Sequence, residues 1–409
     1  MKPRFHYGWL IVFAGMLCIF SCLGLARFAF GMLLPSMSSA LKLTYSEMGF
    51  LSTGNFFGYL ISVIASGYVS ARLGARRTIV YALLLIGSSM LFIASSSSFA
   101  ASLVAYTITG IGSGAVNVPM VGLISTWVAK KKRGIAHGFV VIGSGFAIML
   151  SGRVVPYMNN AVGDEGWRAS WILLSVTTLF LSLVVLAILR NSPKDKGLIP
   201  LGYEPDSSSE QVGIKDLKVS IYLKPVIYHL GVIYFLFGFT YVVYVTFIVT
   251  SLVRERGFSE SVAGEFWAWI GFLSLFSGPV FGRISDWLGR KWGLIIVFML
   301  QTFSYLLAAS GLPGIYLYLS VALFGIVAWS IPSIMGAAAG DYFGAAQATA
   351  AFGFVTFIFG LGQVSGPAVA GALAEMTGSF SSGFYLTAAC TALAIVLASF
   401  LKRPQDLER

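Results

Sequence analysis

Twelve times along this 409-residue chain, a predominantly apolar run of about twenty residues or more gives way to a short polar or Gly/Pro-rich break. Few folds accept such a pattern. In hydrocarbon every backbone N–H and C=O must find a partner within its own segment, so runs of this length become spanning helices. Outer-membrane strands would show ten-residue alternation instead. Composition agrees, with 57% hydrophobic, 15% aromatic and 11% charged residues, far from the soluble globular range. The expectation is an all-α polytopic membrane protein with helices near 8–37, 46–70, 77–97, 101–128, 134–158, 168–190, 224–252, 261–286, 291–311, 315–341, 346–375 and 380–401. The longest break, 191–223, contains Ser192-Pro193-Lys194-Asp195-Lys196 and Pro205-Asp206-Ser207-Ser208-Ser209-Glu210. It reads as a polar linker between a six-helix half, 1–190, and a second one, 224–409.

The net charge of +11 would suggest nucleic acid in a soluble protein, but its placement points to membrane topology. Alternating the loops from a cytoplasmic N-terminus puts 21 Lys/Arg on the cytoplasmic side and four outside, Lys42, Arg168, Arg254 and Arg256. This is the positive-inside pattern. It predicts a multi-pass protein of a bacterial inner (cytoplasmic) membrane with both termini cytoplasmic and no nucleic-acid partner. Cys18, Cys22 and Cys390 fall in apolar runs without a nearby histidine cluster, so neither a disulfide framework nor a metal site is expected. His6, His137 and His229 lie apart near cytoplasmic ends.

The halves read as a repeat. An offset of 215 places Gly67 on Gly282, Gly74 on Gly289, Arg76 on Lys291, Gly110-Ile111 on Gly325-Ile326 and Gly138-Phe139 on Gly353-Phe354. Two pseudo-symmetric halves with a site between them at mid-membrane is the arrangement of alternating-access carriers.

Arg27 breaks that symmetry, because the offset sets it against Val242. Between Arg4 and Lys42 it is the sole charge, roughly 16 Å from the helix end at 1.5 Å per residue, too deep for easy snorkelling. An ionisable residue there is a functional-site hypothesis facing a cavity or a partner. Gly24 and Gly31 share its helical face and leave room for a ligand or another helix. Arg153 sits nearer the membrane surface and either faces the cavity or snorkels. Asn117 beside Pro119 in helix 4 aligns with Pro332 in helix 10, where the prolines either unwind the helix or merely kink it. Tyr241, Tyr244 and Trp329 line a cavity or pack, and Asn55 bonds across helices or touches substrate.

Between helices 8 and 9 stands Gly282-Arg283-Ile284-Ser285-Asp286-Trp287-Leu288-Gly289-Arg290-Lys291. It resembles the signature loop of the major facilitator superfamily, Gly-x-x-x-Asp-(Arg/Lys)-x-Gly-(Arg/Lys)-(Arg/Lys), with Trp287 departing at one basic place. Its repeat partner, Gly67 through Arg72 and Gly74 to Arg76-Arg77, has Ala71 at the carboxylate place and Ala75 at a basic one. The resemblance implies that these loops latch one conformation, with the second-half loop carrying more of that role. Trp127 through Lys130-Lys131-Lys132-Arg133-Gly134 to Gly138 resembles the helix 4–5 junction of the monocarboxylate and oxalate/formate branches. The helix 4 place where the superfamily often has a membrane arginine is Tyr106. Gly24-Leu25-Ala26-Arg27-Phe28-Ala29-Phe30, Leu34-Pro35 and Asn55 through Gly58-Tyr59-Leu60 resemble the YbfB/YjiJ-type branch. The superfamily resemblance covers essentially the whole chain and implies two six-helix halves.

No Asp or Glu falls near a mid-membrane position, which argues against proton-coupled cation efflux through a buried acid. No phosphate-binding Gly-x-x-x-x-Gly-Lys-(Ser/Thr) is present, and Gly110-x-Gly112-x-Gly114 reads as helix packing. The expectation is therefore a monomeric secondary transporter, not an enzyme, without a cofactor. It moves a small organic anion, a carboxylate first, by proton-linked symport or anion exchange. Its substrate residues are Arg27, Asn117, Arg153, Tyr241, Tyr244 and Trp329. Its conformational residues are Gly67, Arg72, Gly74, Arg76, Gly282, Asp286, Gly289, Arg290, Lys291, Pro119 and Pro332. The alternatives are an exporter of hydrophobic drugs or metabolites and a transporter-like membrane sensor.

Overall fold

The computed structural model describes residues 6–203 and 221–402; the 205–210 part of the expected linker lies outside them. Twelve long helices are present among the described residues: α1 Gly8–Ala40, α2 Tyr45–Leu73, α3 Ala75–Ser95, α4 Phe99–Trp127, α5 Lys130–Val162, α6 Gly166–Ile188, α7 Pro225–Glu255, α8 Glu260–Leu288, α9 Arg290–Ala309, α10 Ile315–Gly344, α11 Gln347–Thr377 and α12 Ser381–Ser399. Among the described residues, ten stretches are long and apolar enough to cross a membrane. One of them, Lys130–Ile188, turns at Gly163 (φ 71°) and holds both α5 and α6. The 29-residue α8 is of spanning length but falls outside those ten.

Short polar caps set the turns. Thr44 and Glu47 form a reciprocal capping box at the start of α2, while Ser98 and Ser259 cap α4 and α8. The α2–α3 and α8–α9 turns hinge on Gly74 (φ 83°, ψ 146°) and Gly289 (φ 92°, ψ 156°). Both positions require positive φ, which glycine adopts without strain, and they are 215 residues apart. The start of the connector is pinned to the first half, with Leu201 N–H donating to Trp127 O and Ala129 N–H to Leu201 O.

Contacts between the halves repeat at the same offset. A Cβ built on Gly264 (α8) would meet Gly152 O (α5) at 2.2 Å, and one on Gly49 (α2) would meet Pro367 O (α11) at 2.4 Å. A Cβ on Gly145 would lie 2.5 Å from Leu275, and one on Gly360 would lie 2.7 Å from Leu60. Ser46 N–H donates to Glu375 (3.1 Å), while the counterparts Asn160 and Ser261 bond at 3.3 Å. Arg254 donates to Ser39, its own counterpart, at 2.7 Å. Glycine lets backbones meet this closely where no hydrophobic drive separates protein from lipid.

These close approaches run from mid-helix to the face opposite residues 6 and 402. Toward the face that carries residues 6 and 402, a Cβ on Gly67, Gly138, Gly282 or Gly353 would meet nothing within 4 Å. The halves are sealed at the far face and parted at the near one.

Candidate functional site

Arg27 lies in a π-helical stretch of α1, Phe20–Phe28, the kind of local widening that often marks functional positions. It is 6% exposed. Its Nε donates to Asn55 Oδ1 at 3.1 Å, and its guanidinium carbon lies 4.5 Å and 4.1 Å from the ring centres of Phe56 and Tyr59. Phe56 and Tyr59, three apart on α2, present neighbouring rings to the cation. A membrane-centre arginine costs about 3 kcal/mol on insertion scales, and a desolvated cation–π contact returns about 2 kcal/mol. The two rings and Asn55 therefore offset the burial without an acid. One nitrogen, Nη2, remains buried and unpartnered. The ion pairs Arg168–Glu165, Arg290–Asp286 and Arg290–Asp341 all lie outside this site.

The surroundings are held by α2–α4 packing. Asn55 Nδ2 donates to Tyr106 O at 3.0 Å, and Tyr106 Oη donates to Arg27 O at 3.2 Å. Gly110 makes this possible, since a Cβ there would lie 1.9 Å from Asn55 O. Gly112 and Gly114 likewise press on neighbouring helices. Beside Arg27, a cavity of about 10 Å³ is lined from both halves by residues including Phe28, Ser52, Thr246 and Val245. That volume is room for about one water.

Facing residues complete the central surface. Half-buried Asn117 donates to Tyr59 Oη at 2.8 Å. From the second half, Gln363 donates to Tyr241 Oη, and the Tyr241 ring meets Trp329 at 5.8 Å. The Phe28 ring bridges the halves, 5.0 Å from Trp329. Trp329 stands where α10 breaks: helix runs to Val327 and resumes at Ser330, while Trp329 N–H donates to Ser277 Oγ at 3.2 Å. Pro332, which cannot donate to the carbonyl four residues before it, accounts for a break at Ala328–Trp329.

Several sequence expectations need correction. Tyr244 is fully buried within the second half, bonded to Ser320 at 2.9 Å and stacked 4.3 Å from Phe324; it packs, because it lies on the inward side of α7. Arg153 is exposed on α5, unlike the buried Arg27. Pro119 sits within an uninterrupted α4, so the unwinding is confined to the second half. Gly24 leaves no room beside the guanidinium: the π-helical stretch turns it onto α5, where a Cβ would lie 2.1 Å from that of Ala147. Gly31 presses on Val245 O of α7 while still lining the cavity.

The expected conformational residues sit at the near face. Arg290 joins Asp286 to Asp341, the latter at 2.6 Å, and so ties α8, α9 and α10 together, with Lys291 half-buried alongside. In the first half, where Ala71 replaces the acid, Arg76 instead donates to Leu186 O at 2.7 Å and its N–H to Asn191 Oδ1 at 2.9 Å. Arg72 lies over Tyr68.

A family model described as the uncharacterised MFS-type transporter YbfB matches residues 19–399. The chain belongs to that family of MFS-type transporters. Over 93% of its length it is 22% identical to the hexuronate transporter of Bacillus subtilis (strain 168), covering 91% of that protein. It is also 21% identical to the probable sulfoacetate transporter SauU of Cupriavidus necator, with 98% and 95% covered. The crystal structure of a D-xylose-proton symporter superposes with a TM-score of 0.77 at 17% identity, covering 98% of this chain and 99% of that one. This MFS-type chain thus carries the two-half helical fold of its family, with transport of small molecules across a membrane as the family's business.

The residues that sequence reasoning missed are Phe56, Tyr59 and Gln363. A signal for the first two existed in the aromatic i, i+3 spacing on the helix that also carries Asn55. Gln363 lies midway along α11 in a small and apolar stretch, well inside the helix that Gln347 begins, and could have been singled out by the reasoning applied to Arg27.

Proposed function

We propose that this protein is a secondary active transporter that moves a small organic anion, a carboxylate first, by alternating access. The observation that carries the reading is Arg27: a buried guanidinium whose Nη2 is unpartnered, on a residue that lines a cavity shared by both halves. A carboxylate, acceptor-only with two oxygens, is the natural occupant. The relatives named for hexuronate and sulfoacetate support an anionic cargo. The 1–190 and 224–409 halves rock about the symmetric contacts, joined by the 191–223 linker. Sealed at one face and parted at the other, the halves hold one of the two end states. The loop charges support near-face exposure to the cytoplasm, with both termini there, in a bacterial inner membrane and as a monomer. Without an acid beside Arg27, coupling comes from a proton carried with the substrate or from exchange for a second anion.

Anion uptake into proteoliposomes tests this. Arg27→Ala abolishes binding and transport and Arg27→Lys retains part of both. Unchanged anion transport by Arg27→Ala refutes the proposal. The competing reading, export of hydrophobic cargo with Arg27 as a structural cation, draws on the Phe56–Tyr59 sandwich. It requires neutral aromatic compounds to bind independently of Arg27.

A further inference from the structure

From the way the site is built, we infer that its cargo is a singly charged carboxylate with a flat apolar body, received by Arg27 Nη2 and by the indole N–H of Trp329. This rests on the reading of Arg27 as an anion anchor and adds the class of anion. Trp329 Nε1 is buried without a hydrogen-bond partner, and a buried indole N–H ordinarily finds one. Trp167 and Trp171 also leave theirs unpaired, but both are fully enclosed on α6 within the first half. Trp329 is half-buried at the seam between the halves, fixed by the α10 break and by Ser277. Its ring touches Phe28, the residue after Arg27. Two unsatisfied donors, one from each half, thus belong to residues linked through Phe28, which follows one in the chain and touches the ring of the other. Donors without acceptors select an acceptor-only group.

The rest of the site decides what is attached to that group. Arg27 is the one buried cation among the described residues, while Arg153 is exposed. A second carboxylate would be buried unpaired, which is strongly unfavourable. The neutral polar groups are already engaged with each other, Asn117 with Tyr59, Gln363 with Tyr241 and Ser52 with Thr246 at 3.1 Å, which reduces the hydrogen-bonding capacity they can offer a cargo. A polyhydroxy body carries more hydroxyls than these part-engaged groups can satisfy, and sites discriminate on that ground. Aromatic faces from Phe28, Trp329 and Tyr241 suit a planar apolar body. The class therefore departs from the sugar acid that names one relative.

Isothermal titration of the purified full-length protein with four probes tests the inference: benzoate, glucuronate, the dianion terephthalate and the neutral benzamide. Benzoate is expected to bind at least about 10-fold more tightly than each of the others. Trp329→Phe keeps an aromatic ring of smaller size and removes the donor, and is expected to weaken benzoate about 10-fold while the protein still melts cooperatively. Arg27-dependent binding that favours glucuronate or terephthalate, or an unaltered benzoate affinity in Trp329→Phe, overturns the inference and leaves anion transport standing. Benzamide binding equal to benzoate and indifferent to Arg27→Ala overturns both. Binding of none of the four by protein that melts cooperatively overturns the inference.

Discussion

The far-face seal can be broken with a single methyl group. Gly264→Ala places a Cβ 2.2 Å from Gly152 O, where ordinary contact begins near 3.4 Å. The obstructing atom is backbone in the middle of a helix, so the two halves must separate by roughly 1 Å at this crossing. Overpacking of this kind costs about 1–3 kcal/mol, and only the sealed state bears it, because α5 and α8 part when the far face opens. The equilibrium between end states should therefore move toward the far-open form by about 5- to 150-fold. Gly49→Ala, the counterpart at 2.4 Å from Pro367 O, should act the same way, and the two effects should add because the sites are separate. Gly67→Ala and Gly282→Ala meet open space and serve as controls. Spin labels at exposed Lys42 and Met376, in a Cys390→Ala background, read the distance across the far face by pulsed electron resonance. A new population at longer distance is expected in Gly264→Ala and absent in Gly67→Ala. An unchanged distribution in a well-folded Gly264→Ala protein would refute the argument that this crossing sets the sealed state.

Three further outcomes follow from the site and its frame. Asn55→Asp sets a carboxylate where Asn55 Oδ1 now accepts from Arg27 Nε; the resulting ion pair should remove anion binding by titration while the melting temperature holds or rises. Gly110→Val drives a branched side chain into Asn55 O, and should lower the melting temperature and the yield of monodisperse protein far more than Gly340→Ala, which meets open space. Asp341→Asn removes one partner of Arg290 but leaves Asp286. Asp341 is about two-fifths exposed, so scanning calorimetry should show a loss of under about 1 kcal/mol.

Much of the frame was legible because it depends on length and on glycine. Run lengths place all twelve helices within a few residues of their observed ends, since a membrane fixes how long a span must be. The offset of 215 anticipates the matching backbone at Gly74 and Gly289 and, beyond the landmarks that suggested it, the mirrored crossings of Gly264 on Gly152 and Gly49 on Pro367. The site was harder to read. In a spanning helix, the side facing lipid is as apolar as the side facing protein, so no periodicity tells them apart. Tyr241 and Tyr244 look alike in the sequence, yet one meets Trp329 at the seam and the other is sealed behind Phe324. Arg27 stood out because its charge is a signal that hydrophobic periodicity cannot hide. Its neighbors Phe56 and Tyr59 did not, and the π-helical turn that redirects Gly24 leaves no mark in residue type.

The doubled contacts around an undoubled site have a consequence for how such a carrier can change. The polar and aromatic residues of the central surface, Arg27, Tyr59, Asn117, Trp329, Tyr241 and Gln363, have Val242, Ser274, Pro332, Gly114, Ala26 and Ile148 at their repeat positions, so none is bound by the symmetry that governs the glycine crossings. Selection can rewrite the cargo in one half while the rocking machinery stays tuned. A laboratory can do the same, grafting a relative's recognition residues onto α1 and α10 without having to rebalance the motion.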